Sequence, residues 1–476
     1  MPHRLVALLL VLGTITAGCL PAATATLPPR PSTAARLVLH ELQPRQPDGS
    51  RPAGARLQAI DPDTLEDLPD LPPLEAPACS SGLSVQPAGQ LGAIVLGAGG
   101  GPACAQAPSA AVRLLDLRAW TWGADLALPA EATAPLRLDA PLAWSPDSRW
   151  IYLLTATTSA PETRQLWRLD STASSPPTHI SIDFIPQRID PAPNGSAILV
   201  LGGRSQDGSR AGAAVAGSAF VAIYDPQTLG ERLRVPLSGL DLGLPDQPVG
   251  SLRPAVAMAP DGSRYYVAHA DRPVLDVVDV RAPHLERLER SIALRSSDAM
   301  RIAGASAAAW LHASPDGAHL YVWQLASAPE DDLGLQQVDV GSWRIQTLDP
   351  IAARLGSSLD GQWLFRLDPS YAQRPGVQRA RDPSGARLSV LDAAGRDEVA
   401  VLERDRFSFI LGQYGPARLY TVEVDPTARG EADGSQDGRR ARPATSLVAF
   451  AVGSWQELAR RGLDSPSWPV TIQPVW

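Results

Sequence analysis

A hairpin signal recurs along this chain, and it constrains the fold more than any other feature. A short apolar strand runs into a tight turn of the Pro-Asp-Gly kind, and a strand rich in aromatic and β-branched residues runs out. The turns read Pro87-Ala-Gly89, Pro146-Asp-Ser148, Pro193-Asn-Gly195, Pro260-Asp-Gly262, Pro315-Asp-Gly317, Leu359-Asp-Gly361 and, degraded, Gln413-Tyr-Gly415. Asp-Gly and Asn-Gly tolerate the positive φ of a tight hairpin, so the residue types fit their places. A third strand follows each time, usually ending in aspartate: Leu57 to Asp61, Val112 to Asp116, Leu166 to Asp170, Phe220 to Asp225, Leu275 to Asp279, Gln337 to Asp339 and Leu388 to Asp392. An eighth copy, Leu447 to Trp455, lacks the Asp, and a weaker apolar strand such as Arg232 to Leu237 comes after each third strand.

Four short antiparallel strands per unit, repeated without helices, predict an all-β fold, a β-propeller of four-stranded blades. The turn motif counts seven blades and the third strand counts eight. Arg36 to Leu42 already reads as a second strand, and Pro469 to Gln473 is a lone strand left over at the other end. Pairing these two closes the ring at eight, which we prefer; seven is the alternative. Residues 35–476 form this domain.

The segments WSPDSRWIYLL, APDGSRYYVAH and SPDGAHLYVW resemble the turns of TolB-like propellers, and IDPDTLEDL and YDPQTLGERL resemble the strand-turn segments of YVTN-type repeats. The Gly-His and Trp-Asp pairs of WD40 repeats are absent. The resemblance spans roughly residues 35–475 and implies an exported bacterial propeller; it implies architecture only, because such folds host carriers, sensors, scaffolds and enzymes.

Composition narrows the function. The chain is 44% hydrophobic and 19% charged, enough apolar surface for a large core. A net charge of −8 argues against nucleic acid, whose partners are basic. All 42 cationic residues are Arg, which removes Schiff-base lysines, the Walker A lysine and Ser–Lys hydrolases. At the N-terminus, Met1 to Arg4 is a basic leader and Leu5 to Gly18 an apolar run too short to span a bilayer, so residues 1–19 read as a signal peptide. Thr16-Ala-Gly-Cys19 resembles a lipobox that would acylate Cys19, while Ala23-Thr-Ala25 offers an ordinary cleavage site. Residues 20–34, rich in Pro, Ala and Thr, read as a tether. Export follows on either reading, as a membrane-anchored lipoprotein or as a secreted or periplasmic protein.

Motifs for chemistry are sparse. None of the seven histidines has metal-ligand spacing; all read as surface or strand residues, and no metal is expected. Gly97 to Gly101 lacks the following glycine and lysine of a phosphate loop, and Glu431 to Asp437 lacks the final Glu of an EF-hand, since residue 442 is Arg. No catalytic set emerges. Trp120, Trp144, Trp150 and Trp363 sit inside strand motifs and read as packing between blades. Cys79 and Cys104 remain as a pair once Cys19 is acylated or removed, and an oxidising compartment favours their disulfide. The connections between second and third strands carry the insertions, and the last two concentrate Arg374, Arg379, Arg381, Arg439, Arg440 and Arg442, a candidate binding patch. The expectation is therefore a monomeric, non-catalytic binding or scaffold module at the cell envelope, without a cofactor. Its partner would be a protein, an envelope polymer or a small ligand, with membrane contact only through a lipid anchor. The alternative is a propeller enzyme of the lactonase or quinoprotein dehydrogenase type.

Overall fold

The computed structural model describes residues 36–42, 55–76, 80–96, 111–129, 134–135, 142–156, 163–205, 214–239, 254–270, 272–281, 288–294, 308–325, 334–349, 354–358, 360–368, 387–393, 397–404, 407–413, 417–429, 443–463 and 471–475. Among these the regular elements are all β-strands, in eight antiparallel sheets. From inner to outer strand, blade 2 comprises Ser84–Val85, Leu91–Leu96, Ala111–Asp116 and Thr121–Ala127. Blade 3 has a divided inner strand, Ala134–Pro135 and Leu142–Trp144, followed by Trp150–Ala156, Arg164–Asp170 and Thr178–Ile182. The inner strands of blades 4 to 8 are Ile185–Pro191, Ala255–Met258, Ala308–Ala313, Arg354–Ser357 and Phe407–Gln413, each continuing through three more strands in sequence order. First strands of neighbouring blades approach one another, which places them around the axis.

Blade 1 is built from both ends of the chain. Arg36–Leu42, Ala55–Ile60 and Leu74–Ala76 supply its second, third and outer strands, and Thr471–Val475 supplies the innermost. The register runs antiparallel from Arg36 opposite Val475 to His40 opposite Thr471. The ring therefore has eight blades. The closing strand lies two residues later than the sequence pattern placed it.

The repeat motifs explain themselves as turn chemistry. In the first hairpin of a blade the residue at the glycine position donates its N–H to the carbonyl three residues back, as Gly195 does to Ala192 and Gly262 to Ala259, both at 2.8 Å. That position has φ near +70° at Gly195 and Gly262. The aspartate ending the third strand caps the next turn: Asp61 Oδ1 accepts the N–H groups of Asp63 and Thr64, Asp116 those of Arg118 and Ala119, and Asp225 those of Gln227 and Thr228, all at 2.8 Å.

The turns after the third strands reach a residue with positive φ that is not glycine at Leu65, Trp120, Ala173, Leu229 and Trp343, and so does the uncapped turn of blade 8 at Trp455, with φ of 54° to 60°. Such a conformation costs an L-residue about 1–2 kcal/mol. Packing against the preceding blade compensates. Trp120 of blade 2 joins Val38, Leu57 and Ala59 of blade 1; Leu65 of blade 1 joins Tyr420 and Val422 of blade 8; Trp455 of blade 8 meets Phe365 of blade 7. Eight apolar clusters of this kind occur, one at each junction including that of blades 8 and 1. The tryptophans expected to pack between blades do so: Trp120 and Trp144 are buried, Trp363 meets Trp455 edge-on, and Trp150 packs on the cluster between blades 3 and 4 with the guanidinium groups of Arg149 and Arg168 over its ring.

Candidate functional site

Strand direction gives the disc two different ends. Connections from first to second strand turn at one end and are short, and those from third to outer strand turn at the same end. Connections from second to third strand, and from one blade to the next, begin and finish at the other end. Two second-to-third hairpins extend further than their sequence suggested: Ser205 pairs with Ala214, and Arg429 with Pro443.

Tight turns at the first end touch one another around the axis. Ser148 Oγ accepts the N–H of Ala88 at 2.9 Å, and Asn194 donates its amide to the Asp261 carbonyl at 2.9 Å. A Cβ on Gly317 would lie 3.2 Å from Pro260. Successive blades are linked there turn to turn.

The wall of the channel is formed by the innermost strands, and their residues follow a simple rule. The side chain three residues before the turn proline faces the following blade, and so does the one five before it. In blade 4 these are Asp190 and Arg188, in blade 5 Ala257 and Ala255, in blade 6 His312 and Trp310. Arg188 Nε lies 2.8 Å from Asp190 Oδ2, and the hydroxyl of Tyr265 in blade 5 donates to the same carboxylate oxygen at 2.6 Å. Asp190 is thereby committed to holding blades 4 and 5 together.

At the junction of blades 6 and 7, His312 Nε2 and Ser357 Oγ are 2.7 Å apart. Burial pushes the imidazole below the ordinary histidine pKa, so the ring is neutral at neutral pH. Tyr321 lies parallel to it, ring centres 6.3 Å apart. Trp310 donates Nε1–H to the Leu355 carbonyl of blade 7 at 3.4 Å, yet 43% of its surface is exposed. Among the described residues it is the one exposed tryptophan.

A second polar group is buried near the opposite end of blade 5. His269 Nε2 and Asp276 Oδ2 are 2.8 Å apart, both fully buried, and Ser238 of blade 4 donates its N–H and its hydroxyl to Asp276 at 2.8 Å. Burial alone would raise the Asp276 pKa, but His269 and Ser238 together hold it low. Serine, histidine and aspartate meet here, but the carboxylate stands between the other two. The hydroxyl proton points at Asp276 rather than at the imidazole, which is the wrong order for a nucleophilic triad. Gln324 of blade 6 donates to the carbonyls of His269 and Arg272. The cluster ties three blades together.

Of the sites expected from sequence, Cys19, Cys79, Cys104 and the six arginines Arg374, Arg379, Arg381, Arg439, Arg440 and Arg442 lie outside the described residues, as do Gly97 to Gly101 and Glu431 to Asp437. Among the described residues no three His, Cys, Asp or Glu side chains gather as a metal would need. His179 stacks on Trp167 with ring centres 4.1 Å apart, a packing role. Sequence reasoning missed Trp310, His312 and Ser357. Their signal was present: a blade-by-blade alignment on the turn proline shows Trp and His where blade 5 has two alanines.

No family model matches the chain, and no curated protein matches it. Solved structures do. Dihydro-heme d1 dehydrogenase NirN, in complex with DHE, aligns over 96% of this chain and 79% of its own with a TM-score of 0.56 at 14% identity. Apo AztD from Citrobacter koseri aligns over 93% and 98% with a TM-score of 0.46 at 10% identity, and the periplasmic gluconolactonase PpgL of Pseudomonas aeruginosa over 77% and 95% with 0.42 at 14%. The first likeness shows the propeller fold and no more; the other two align too loosely to carry an argument.

Proposed function

We propose that the chain is an exported propeller acting as a binding or scaffold module at the cell envelope, attached by a lipid on Cys19 or released after cleavage. The observation that carries this reading is the commitment of its acidic groups to structure. The repeat aspartates cap turns, Asp190 joins Arg188 and Tyr265, and Asp276 joins His269 and Ser238. Exposed on the described inner wall are the Trp310 ring, near the hydrogen-bonded His312 and Ser357, and the half-exposed guanidinium of Arg188, groups suited to a binding surface. The arginine-bearing connections 369–386 and 430–442 leave from the end opposite the tight turns, and they supply a cationic surface for an anionic envelope polymer or an acidic partner.

One observation favours the enzymatic alternative. An imidazole 2.7 Å from a hydroxyl is the geometry of a base against a nucleophile, and a lactone hydrolase would use it. The experiment sets the two readings side by side. The mature chain is sedimented with isolated cell envelopes and assayed for δ-gluconolactone hydrolysis in a pH-stat. Co-sedimentation that weakens with salt, and hydrolysis no faster than the spontaneous rate, is the expected result. Hydrolysis abolished by His312→Ala in a folded protein would replace the binding module with the hydrolase.

A further inference from the structure

We propose that Asn194 is a deamidation site kept closed by the contact between blades 4 and 5, an inference independent of the binding-module reading. It is the only asparagine in the chain, it is followed by Gly195, and it is exposed at the end of the disc that carries the tight turns. Glycine has no side chain to hinder its own amide nitrogen from attacking the carboxamide before it. In that reaction the Gly195 nitrogen loses its proton to base and bonds to Asn194 Cγ. The Cγ–Nδ2 bond breaks, and the nitrogen leaves as ammonia with a proton taken from water. Water then opens the cyclic imide at either carbonyl, leaving aspartate or isoaspartate.

The turn holds every group that must move. Gly195 donates its N–H to the Ala192 carbonyl at 2.8 Å. Asn194 Oδ1 accepts the Ser196 N–H at 3.0 Å, and Nδ2 donates to the Asp261 carbonyl of blade 5 at 2.9 Å. The carboxamide is fastened at both ends, and the nitrogen it would have to meet is itself engaged. At the equivalent turn position Asp147, Asp261, Asp316 and Asp360 make the same bond within their turns, each to the N–H two residues on. A carboxylate accepts but cannot donate. Deamidation therefore gives blade 4 the side chain of these other blades and removes the donor that ties it to blade 5. Isoaspartate adds a main-chain carbon to the turn as well. The link keeps the site closed, and the reaction destroys the link. A Cβ on Gly262 would lie 2.8 Å from Asn194 Cγ and Nδ2, so Gly262→Ala pushes the carboxamide away from its partner in blade 5.

The test incubates the full mature chain in mildly alkaline buffer, with and without urea. Peptide mass spectrometry follows Asn194 while hydrogen exchange is followed at Gly195. Both reactions begin by removing the same amide proton, but deamidation also needs the carboxamide released. The folded chain deamidates at least about tenfold more slowly than the chain unfolded in urea, equivalent to an opening cost of about 1.4 kcal/mol or more. Its protection against deamidation is no less than that of the Gly195 amide against exchange. Gly262→Ala, shown to be folded by circular dichroism, deamidates several-fold faster than wild type. If that variant fails to fold, the two wild-type comparisons decide. Deamidation of the folded chain at the urea rate, or less protected than exchange, overturns the proposal, as does a folded Gly262→Ala variant no faster than wild type.

Discussion

Replacing Trp120 by alanine and, separately, by glycine should invert the usual order of those two residues. Trp120 is 3% exposed and packs on Val38, Leu57 and Ala59 of the preceding blade, with its Nε1–H donated to the Pro72 carbonyl at 2.6 Å. Truncating a buried tryptophan costs about 3–5 kcal/mol. Its backbone, however, sits at φ 54°. Alanine keeps the left-handed penalty of about 1–2 kcal/mol, whereas glycine sheds it and gives back about 0.4–1 kcal/mol through its freer unfolded chain. The glycine variant should therefore equal the alanine variant or exceed it by up to about 1.6 kcal/mol. At an ordinary strand site it would be about 0.5–1 kcal/mol worse. Urea unfolding followed by far-ultraviolet circular dichroism gives both values, with unchanged m as the sign that only stability moved. If alanine is the more stable replacement by that ordinary margin, the left-handed turn is not what sets the energetics. A loss below about 1 kcal/mol in both variants would show that the side chain does not hold blades 1 and 2 together.

Other consequences can be checked in the same protein. Gly195→Ala and Gly262→Ala meet the same φ of +70°, but only the second places its Cβ 2.8 Å from the Asn194 side chain; it should be the costlier change, and equal urea midpoints would contradict the packed ring of turns. The N–H of Thr228, then Arg232 and the N–H of Gln227, outweigh burial and bring Asp225 down to about 2. That depressed pKa makes its contribution complete above the ordinary carboxylate range of about 4 and lost as pH falls toward 2. Asp225→Asn should flatten the acid limb of the melting curve between those values, and parallel curves would refute it. Ser80 bridges Leu96, which joins the described flanks of the segments bearing Cys79 and Cys104. Their disulfide should appear in non-reduced mass spectra and contribute about 3 kcal/mol; two free thiols would end that expectation.

The architecture was legible because turn chemistry is local. Asp-Gly hairpins and strand-ending aspartates declare themselves within a few residues, and the unpaired strands at 36–42 and near 471 completed the count of eight. Side chains meeting across a blade junction were not legible. His312 reaches Ser357, and Trp310 reaches Leu355, over 45 residues of chain. Periodicity puts each on an inner strand, yet which neighbour it meets depends on how the blades stack. Nor did the sequence disclose that Trp120, Trp343 and Trp455 occupy left-handed turns, since bulky residues are the least expected there.

The ring closed by its two ends is the central claim, and a cysteine pair tests it directly. In the register found, Val38 is opposite Gln473. The double variant Val38→Cys, Gln473→Cys should form an intramolecular disulfide under mild oxidation, seen as one cross-linked peptide pair in addition to that of Cys79 and Cys104. A control pairing Val38→Cys with Gly356→Cys, on the inner strand of blade 7, should not. Failure of the first pair to link in a folded protein, or equal linking of the control, would mean that Arg36–Leu42 and Thr471–Val475 do not share a blade and that the eight-bladed closure is wrong.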